Sequence, residues 1–518
     1  MFLGIELGST RIKAVLIDEV GGVLAAGEFD WENRLVDGVW TYDLEDAWIG
    51  VRAAFGDLVR NFKARHGGFP QIKAIGISAM MHGYLALDIN GEPLAEFRTW
   101  RNTFTETEAA RLTDVFDFNI PQRWSVAHLY RAVRLEEKHV GRVDFLTTLA
   151  GYVHYKLTGE RVLGIGDASG MFPVDFENKD YNAKMLGLFD DLLSEYKLPW
   201  RVLEVLPRVL TAGQGGGFLT EEGARLLDPS GLLAAGVAFC PPEGDAGTGM
   251  VATNSVAAGT GNVSAGTSVF AMLVLEKDLG RLYPEIDVVV TPAGRPVAMV
   301  HCNNCTSDLD AWVEVFGQTL GLFGARPDKG ELYQKLYEAA LKGDADGGGL
   351  VACNYLSGEH ITGFARGRPI FARGPQSIMN IENVMRTLIF SAVATLRIGL
   401  DILRDGEGIK FEKLFGHGGF FKTKFVGQKL LAGTLDVPVA VMESAGEGGA
   451  WGIGILAGFM LEKKDGETLE NFLENKIFAH ASLEEVVPHK EDVLGFEEFL
   501  QRYKLFLEVE QKAVEVDF

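Results

Sequence analysis

Cysteine is scarce in this chain, with four residues in 518. So few thiols exclude a disulfide-stapled scaffold and fit a reducing compartment. Proline-, serine- or glutamine-rich tracts are missing as well, so the chain is expected to fold almost throughout. No apolar run is long enough to span a bilayer, because the most apolar helix-like stretch, 388–403, is broken by Arg397 and Asp401. The opening MFLGIELGST lacks a basic region and a cleavage site. Basic patches are absent too, and a formal net charge of −22 repels nucleic-acid backbones and anionic membranes. Together these absences predict a cytoplasmic protein with neither nucleic acid nor membrane as a partner.

What the chain does have is size, apolar content and glycine. A mass of 56.5 kDa exceeds what one hydrophobic core supports, so two large domains are expected, with 47% apolar residues to fill them. Period-two alternation predicts strands over 2–7, 12–17 and 23–29, joined by Gly8-Ser9-Thr10-Arg11 and Gly21-Gly22 as an antiparallel meander. A further strand over 71–78 and helical patterns over 44–62 and 105–112 make the class α/β. Half a chain later, Ala265-Gly266-Thr267-Ser268-Val269-Phe270 echoes Leu7-Gly8-Ser9-Thr10 at a separation of 258 residues. That echo suggests two similar domains, each opening with a hairpin able to face phosphate, and a cleft between them. Downstream, helices are predicted over 381–404 and 424–432, a strand over 437–441, and a small-residue helix from Ala445 through Phe459. Phe496, Phe499, Leu500, Tyr503 and Leu507 keep helical spacing in an acidic tail, which is expected to pack back as a closing helix.

Each motif has a plain reading beside a chemical one. Gly416-His417-Gly418-Gly419-Phe420-Phe421-Lys422-Thr423 is no Walker loop, because Phe421 stands where the second glycine must wrap phosphate. Gly452, Gly454 and Ala457 imitate a dinucleotide fingerprint, but inside a predicted helix and not after a strand. Gly8, Ser9 and Thr10 form either an ordinary hairpin turn or a phosphate-facing one. Glu6, at the strand end beside that turn, is either a solvated residue or a carboxylate placed to hold Mg²⁺. Asp245 reads as a helix N-cap or as a base accepting a proton from a sugar hydroxyl. Met81-His82-Gly83 and Trp100-Arg101-Asn102 offer either core residues or a sugar-holding surface. Cys302 and Cys305 form an isolated CxxC that reads best as buried thiols.

Taken in order, these segments resemble the FGGY carbohydrate kinases across nearly the whole chain. Gly4 to Thr10 resembles the family's first phosphate motif, and Met81-His82-Gly83 with Trp100-Arg101-Asn102 its sugar segments. Gly244-Asp245-Ala246 resembles the segment of the catalytic aspartate, and Ser264 to Ser268 the second phosphate motif. Tyr355 to Glu359 is similar to a C-terminal-domain segment, and Gly418-Gly419 with Lys422 to the adenosine loop. The resemblance implies two ribonuclease-H-like domains of the actin and hexokinase type, a sugar-binding domain over 1–250 and a nucleotide-binding domain over 251–460, with the tail 461–518. It implies ATP and Mg²⁺ in the cleft, a small sugar as substrate and Asp245 as general base. Met81, His82, Trp100, Asn102 and Asp245 would meet the sugar, and Gly8, Ser9, Thr10, Gly266, Thr267, Ser268, Gly418, Gly419 and Lys422 the nucleotide. Glu6 would hold the metal, and a homodimer is compatible with the family.

The chain departs from the family pattern at three places. Glu6 stands where an aspartate is usual. Asn102 and Phe104 occupy the last two polar places of the Trp-x-Asp-x-Arg seen in xylulose and glycerol kinases. Gly244-Asp245-Ala246 is closer to ribulose kinases, whereas Asp167-Ala168-Ser169-Gly170 is closer to xylulose kinases. The expected reaction is therefore phosphorylation of a ketopentose, L-ribulose or xylulose, at its terminal hydroxyl. Another sugar or polyol, and an actin-like ATPase switch without a sugar, are the alternatives.

Overall fold

A computed structural model describes residues 1–423, 425–442 and 448–516. The expected strands form as a six-stranded sheet whose order is Ala238–Phe239, Ala74–Ala79, Phe2–Leu7, Arg11–Ile17 and Val23–Asp30, with Glu243–Gly244 also pairing along Ala74–Ala79. Phe2–Leu7 and Val23–Asp30 each pair antiparallel with Arg11–Ile17 between them, and the Ala74–Ala79 strand joins Phe2–Leu7 in parallel. A second sheet repeats this plan. Pro296–Cys302, Val269–Val274 and Thr260–Ala265 are antiparallel, followed in parallel by Lys413–His417 and then Val439–Met442. Asp287–Val290 and Leu483–Val486 extend its two edges. Three antiparallel strands followed by parallel ones, twice, is the ribonuclease-H-like duplication of the actin and hexokinase type.

The long helices also correspond. Leu44–His66 crosses from the third to the fourth strand of the first sheet, and Ile381–Glu407 does so in the second. Each is delimited by its sequence: Asp43 and Asn380 accept N-terminal N–H groups, while Gly67 (φ 86°) and Gly408 (φ 67°) end the helices in a conformation that costs glycine little. Trp48, Phe55 and Phe62 of the first helix are buried, each contributing about 1.5–3 kcal/mol relative to exposure.

Strand alternation decides what covers each face of Phe2–Leu7. Leu3, Ile5 and Leu7 face a core shared with Leu44–His66. Phe2, Gly4 and Glu6 take the other face, which is covered by helix Gly448–Glu462 arriving from the second half of the chain. The helix can come this close because Gly4 lies opposite Gly76 in the parallel register. A Cβ at Gly4 would overlap the Ala450 carbonyl, and one at Gly76 would stand 2.8 Å from the Ile453 carbonyl. Helix Asp245–Ala252 packs beside it, so two helices lie between the sheets in one continuous core.

The tail differs in part from an all-helical one. Lys490–Ala513 is a helix that buries Phe496, Phe499, Leu500 and Tyr503 against the second domain, as its spacing predicts. Leu483–Val486, however, pairs antiparallel with Val439–Met442, because that strand otherwise leaves an unpaired edge. The start of the small-residue helix at Ala445, Gly446 and Glu447, and Lys424 ahead of helix Val426–Leu435, lie outside the described residues. No helix among the described residues is long and apolar enough to cross a membrane.

Candidate active site

Asp245 follows directly on Glu243–Gly244, which pairs with Ser78 and Ala79 at the end of Ala74–Ala79. It is the first residue of helix Asp245–Ala252 and not its N-cap; Gly244 holds that place. Its carboxylate is instead turned across the strand ends, where Oδ1 accepts the Met81 N–H at 3.2 Å. Solvent reaches the side chain, yet the surrounding walls desolvate it enough to raise its pKa to about 6, against the lowering effect of the Met81 and Ala246 N–H groups.

Glu6 stands at the end of the neighbouring strand. Burial first and the Asp245 charge second push it up to about 7. Its Oε2 accepts the Ala450 N–H at 3.2 Å, so the start of helix Gly448–Glu462 meets it from the other half of the chain. A Cβ at Gly449 would overlap Glu6 Oε1 and stand 2.6 Å from the Thr248 hydroxyl, so glycine there leaves both side chains in place. One turn into the Asp245 helix, the Thr248 hydroxyl bonds that of Ser78 at 2.9 Å, and Ser78 lies opposite Glu6 in the register. Strand ends and helix starts from both halves thus converge on two carboxylates.

Behind them are two more acids. Asp167 and Glu243 are buried, and burial raises both well above the ordinary carboxylate range, to about 8. Glu243 accepts the N–H groups of Gly166 (3.2 Å) and Asp167 (2.9 Å), and Thr148 donates its hydroxyl to Asp167 at 2.6 Å. Sequence reading missed Thr248, Ser78, Gly449 and Glu243. Thr248 was discoverable, because i and i+3 share a helix face; Gly449 depends on a contact between the halves that no local signal carries.

His82 sits just beyond Met81 with a left-handed backbone (φ 68°). Its Nδ1 donates to the Gly170 carbonyl at 3.1 Å, and burial together with nearby Arg123 lowers its pKa to about 3. The ring is neutral and its Nε2 remains an acceptor. Trp100 is half-exposed, with the Arg101 guanidinium 5.5 Å from its ring centre. Asn102 requires a correction as a sugar ligand. Its carbonyl accepts the Trp40 N–H (2.8 Å), and its amide donates to the carbonyls of Trp40 (2.8 Å) and Thr99 (3.0 Å). Buried, with both amide hydrogens donated and its oxygen already accepting, it braces the Trp40 segment. Phe104 packs edge-on against His128.

Gly8 closes the first hairpin by donating to the Arg11 carbonyl at 2.9 Å, leaving Ser9 and Thr10 exposed. Gly266 closes the second by donating to Ser268 at 2.9 Å, leaving Thr267 exposed. Gly418 (φ 99°) comes so near the second turn that a Cβ would stand 2.5 Å from the Ala265 carbonyl. Gly418, Gly419 and Lys422 are exposed beside it, with the Lys422 N–H donating to Gly419 at 3.2 Å. Residues 266–268 and 418–422 therefore form one surface on the second domain. Cys302 and Cys305 are buried and burial raises both thiols, which leaves them inert packing groups at neutral pH.

Known families account for this duplicated architecture. Residues 1–235 match the N-terminal domain, and residues 261–461 the C-terminal domain, of the FGGY family of carbohydrate kinases. This chain belongs to the FGGY carbohydrate kinases. A xylulose kinase of Haemophilus influenzae is 26% identical over 466 residues, covering 87% of this chain and 89% of that protein. A crystal structure of a xyloylose kinase from Brucella ovis superposes with a TM-score of 0.80 at 21% identity, covering 99% of both chains. A gluconate kinase from Lactobacillus acidophilus gives 0.77 at 17% identity, over 98% of this chain and 97% of that one, which shows the fold alone. As an FGGY kinase the protein is an ATP-dependent sugar phosphotransferase, and the reading as an ATPase switch without a sugar is not favoured.

Proposed function

We propose that this FGGY kinase phosphorylates a ketopentose, xylulose ahead of L-ribulose, at the terminal hydroxyl, with Asp245 as general base. The observation that carries this is the Asp245 carboxylate, open to solvent in the crevice, aimed by the Met81 N–H and adjacent to Glu6. Support for xylulose comes from the names of the curated relatives, several of which are xylulose kinases. In this reading the first 250 residues hold the sugar, with Met81, His82 and Trp100 lining its place, and residues 251–460 hold most of the nucleotide. Asp245 takes the proton of the attacking hydroxyl, while neutral His82 accepts a hydrogen bond from another hydroxyl and so fixes the sugar's orientation. Closure of the crevice removes water as a competing acceptor.

The donor set suits Mg²⁺. No group of three or more metal-binding side chains exists among the described residues, and Mg²⁺ typically uses one or two carboxylates together with substrate phosphates. Glu6, pressed against another carboxylate and pushed up to about 7, is the group whose charge a cation would relieve. Glu6 would hold the ion, with Asp245 nearby, and the ion would supply charge neutralisation on the phosphates.

A coupled assay of ADP release with D-xylulose, L-ribulose, D-ribulose, glycerol and gluconate tests the substrate reading. The highest kcat/KM is expected with a ketopentose; a tenfold preference for glycerol or gluconate removes it. The pH dependence follows from the same groups. Asp245 acts as the carboxylate, so kcat/KM should rise with pH through about 6 and then level off. Glu6 adds a second rise near 7 at low Mg²⁺, which should move to lower pH as Mg²⁺ saturates, because a bound cation favours the charged carboxylate. A profile flat from pH 5 to 8 contradicts both roles.

A further inference from the structure

The backbone carbonyls of both glycine turns are pinned from behind. In the first turn, Trp31 Nε1 donates to the Gly8 carbonyl at 2.7 Å, the Tyr42 hydroxyl to that of Ser9 at 2.6 Å, and the Trp31 N–H to that of Thr10 at 3.1 Å. In the second, the Thr306 N–H (3.0 Å) and hydroxyl (2.9 Å) both donate to the Gly266 carbonyl, and the Cys305 N–H donates to that of Thr267 at 3.0 Å. A trans peptide points each carbonyl opposite to the N–H of the next residue. Pinning Gly8 and Ser9 therefore turns the N–H groups of Ser9 and Thr10 away from the pins, and pinning Gly266 and Thr267 does the same for Thr267 and Ser268. None of these four N–H groups has an acceptor among the described residues. Backbone donors left this way are satisfied by water or by a ligand.

We propose that Trp31, Tyr42 and Thr306 are positioning residues that hold four peptide groups with their donors facing the triphosphate. The proposal rests on the reading that the two glycine turns hold the phosphates. It assigns work to three side chains outside every motif the sequence singles out. Their own settings are firm: Trp31 and Tyr42 pack with ring centres 4.3 Å apart and ring planes tilted by 31°, and both are buried. Thr306 opens helix Thr306–Leu322, and the preceding Cys305 is fixed through its carbonyl by Asn354 Nδ2 at 2.9 Å. Buried Glu359 holds the segment before that, accepting the Asn303 N–H at 2.9 Å and Asn304 Nδ2 at 3.2 Å. Preorganised donors of this kind favour phosphate because they need not reorient when it arrives.

Tyr42→Phe, Trp31→Phe and Thr306→Val each remove one pin and keep most of the packing. Ser9→Pro removes one of the four donors themselves. Binding of Mg·ADP and of AMP is measured by calorimetry on the full-length protein, alongside KM for ATP, KM for the sugar and the thermal midpoint. Each pin variant should weaken ADP binding and raise KM for ATP about fivefold, as for one lost neutral hydrogen bond, with AMP binding and sugar KM unchanged. Ser9→Pro should weaken ADP at least as much. Unchanged ADP binding in the pin variants, with a loss in Ser9→Pro, overturns the positioning role and leaves the phosphate turns standing. Unchanged binding in all four overturns the phosphate reading of the turns, and the pins with it. Equal losses for ADP and AMP, or losses that only follow a fall in thermal midpoint, mean ordinary structural bracing and also overturn the proposal. If Trp31→Phe does not fold, Tyr42→Phe and Thr306→Val decide.

Discussion

Asp245→Asn is expected to lower kcat about 10³-fold while leaving ADP affinity and the thermal midpoint near those of the unaltered protein. The amide is isosteric, so its oxygen can still accept the Met81 N–H at 3.2 Å and the start of helix Asp245–Ala252 need not move. What it cannot do is take a proton from the acceptor hydroxyl. The substitution also removes the negative charge that helps to raise Glu6, whose pKa should fall from about 7. A coupled assay supplies kcat, and calorimetry with ADP tests the nucleotide site. Retention of more than about a tenth of the activity would remove Asp245 as base, since a positioned base contributes roughly 10²–10⁴-fold.

Gly4→Ala is expected to have the largest effect on stability of any single methyl group added in the first sheet. The new Cβ would overlap the Ala450 carbonyl and stand 2.8 Å from the Gly454 N–H, so backbone and not a flexible side chain blocks it. Relief requires helix Gly448–Glu462 to lift from the strand, at a cost of about 3 kcal/mol or more. Lifting that helix also carries Ala450 away from Glu6, so activity and thermal midpoint should fall together. Gly68→Ala is the control, because a Cβ there meets nothing within 4 Å. An unchanged midpoint in Gly4→Ala would mean that the helix is not seated on the glycine pair.

Local patterns revealed a good deal of this. The meander of the first thirty residues, both glycine turns and the helix 381–404 were legible because period, turn chemistry and capping agree over short distances. The strand near Ala74–Ala79 was placed three residues early, since Gln71, Ile72 and Lys73 continue the alternation without entering the ladder. Asp245 was legible as a candidate but not as geometry: a carboxylate at a strand-to-helix junction normally caps, and only the Met81 N–H across the strand ends turns it elsewhere. Asn102 failed for the opposite reason. A polar amide beside tryptophan looks like a sugar ligand until the Trp40 backbone, sixty-two residues away, is seen to occupy it. The pins Trp31, Tyr42 and Thr306 gave no signal, because a side chain that bonds a distant carbonyl leaves no spacing to read.

The route of helix Gly448–Glu462 also sets a condition on biosynthesis. Phe2, Val15 and Ile17 belong to the same core as Ala450, Ile453 and Phe459, so the first sheet cannot bury its outer face until the ribosome has made more than four hundred further residues. At ordinary elongation speeds that interval lasts roughly 20–90 s. Throughout it the nascent chain displays a greasy, glycine-flattened surface, a natural landing place for a chaperone. A gene split at the boundary between the halves would yield a first fragment that never leaves that stage.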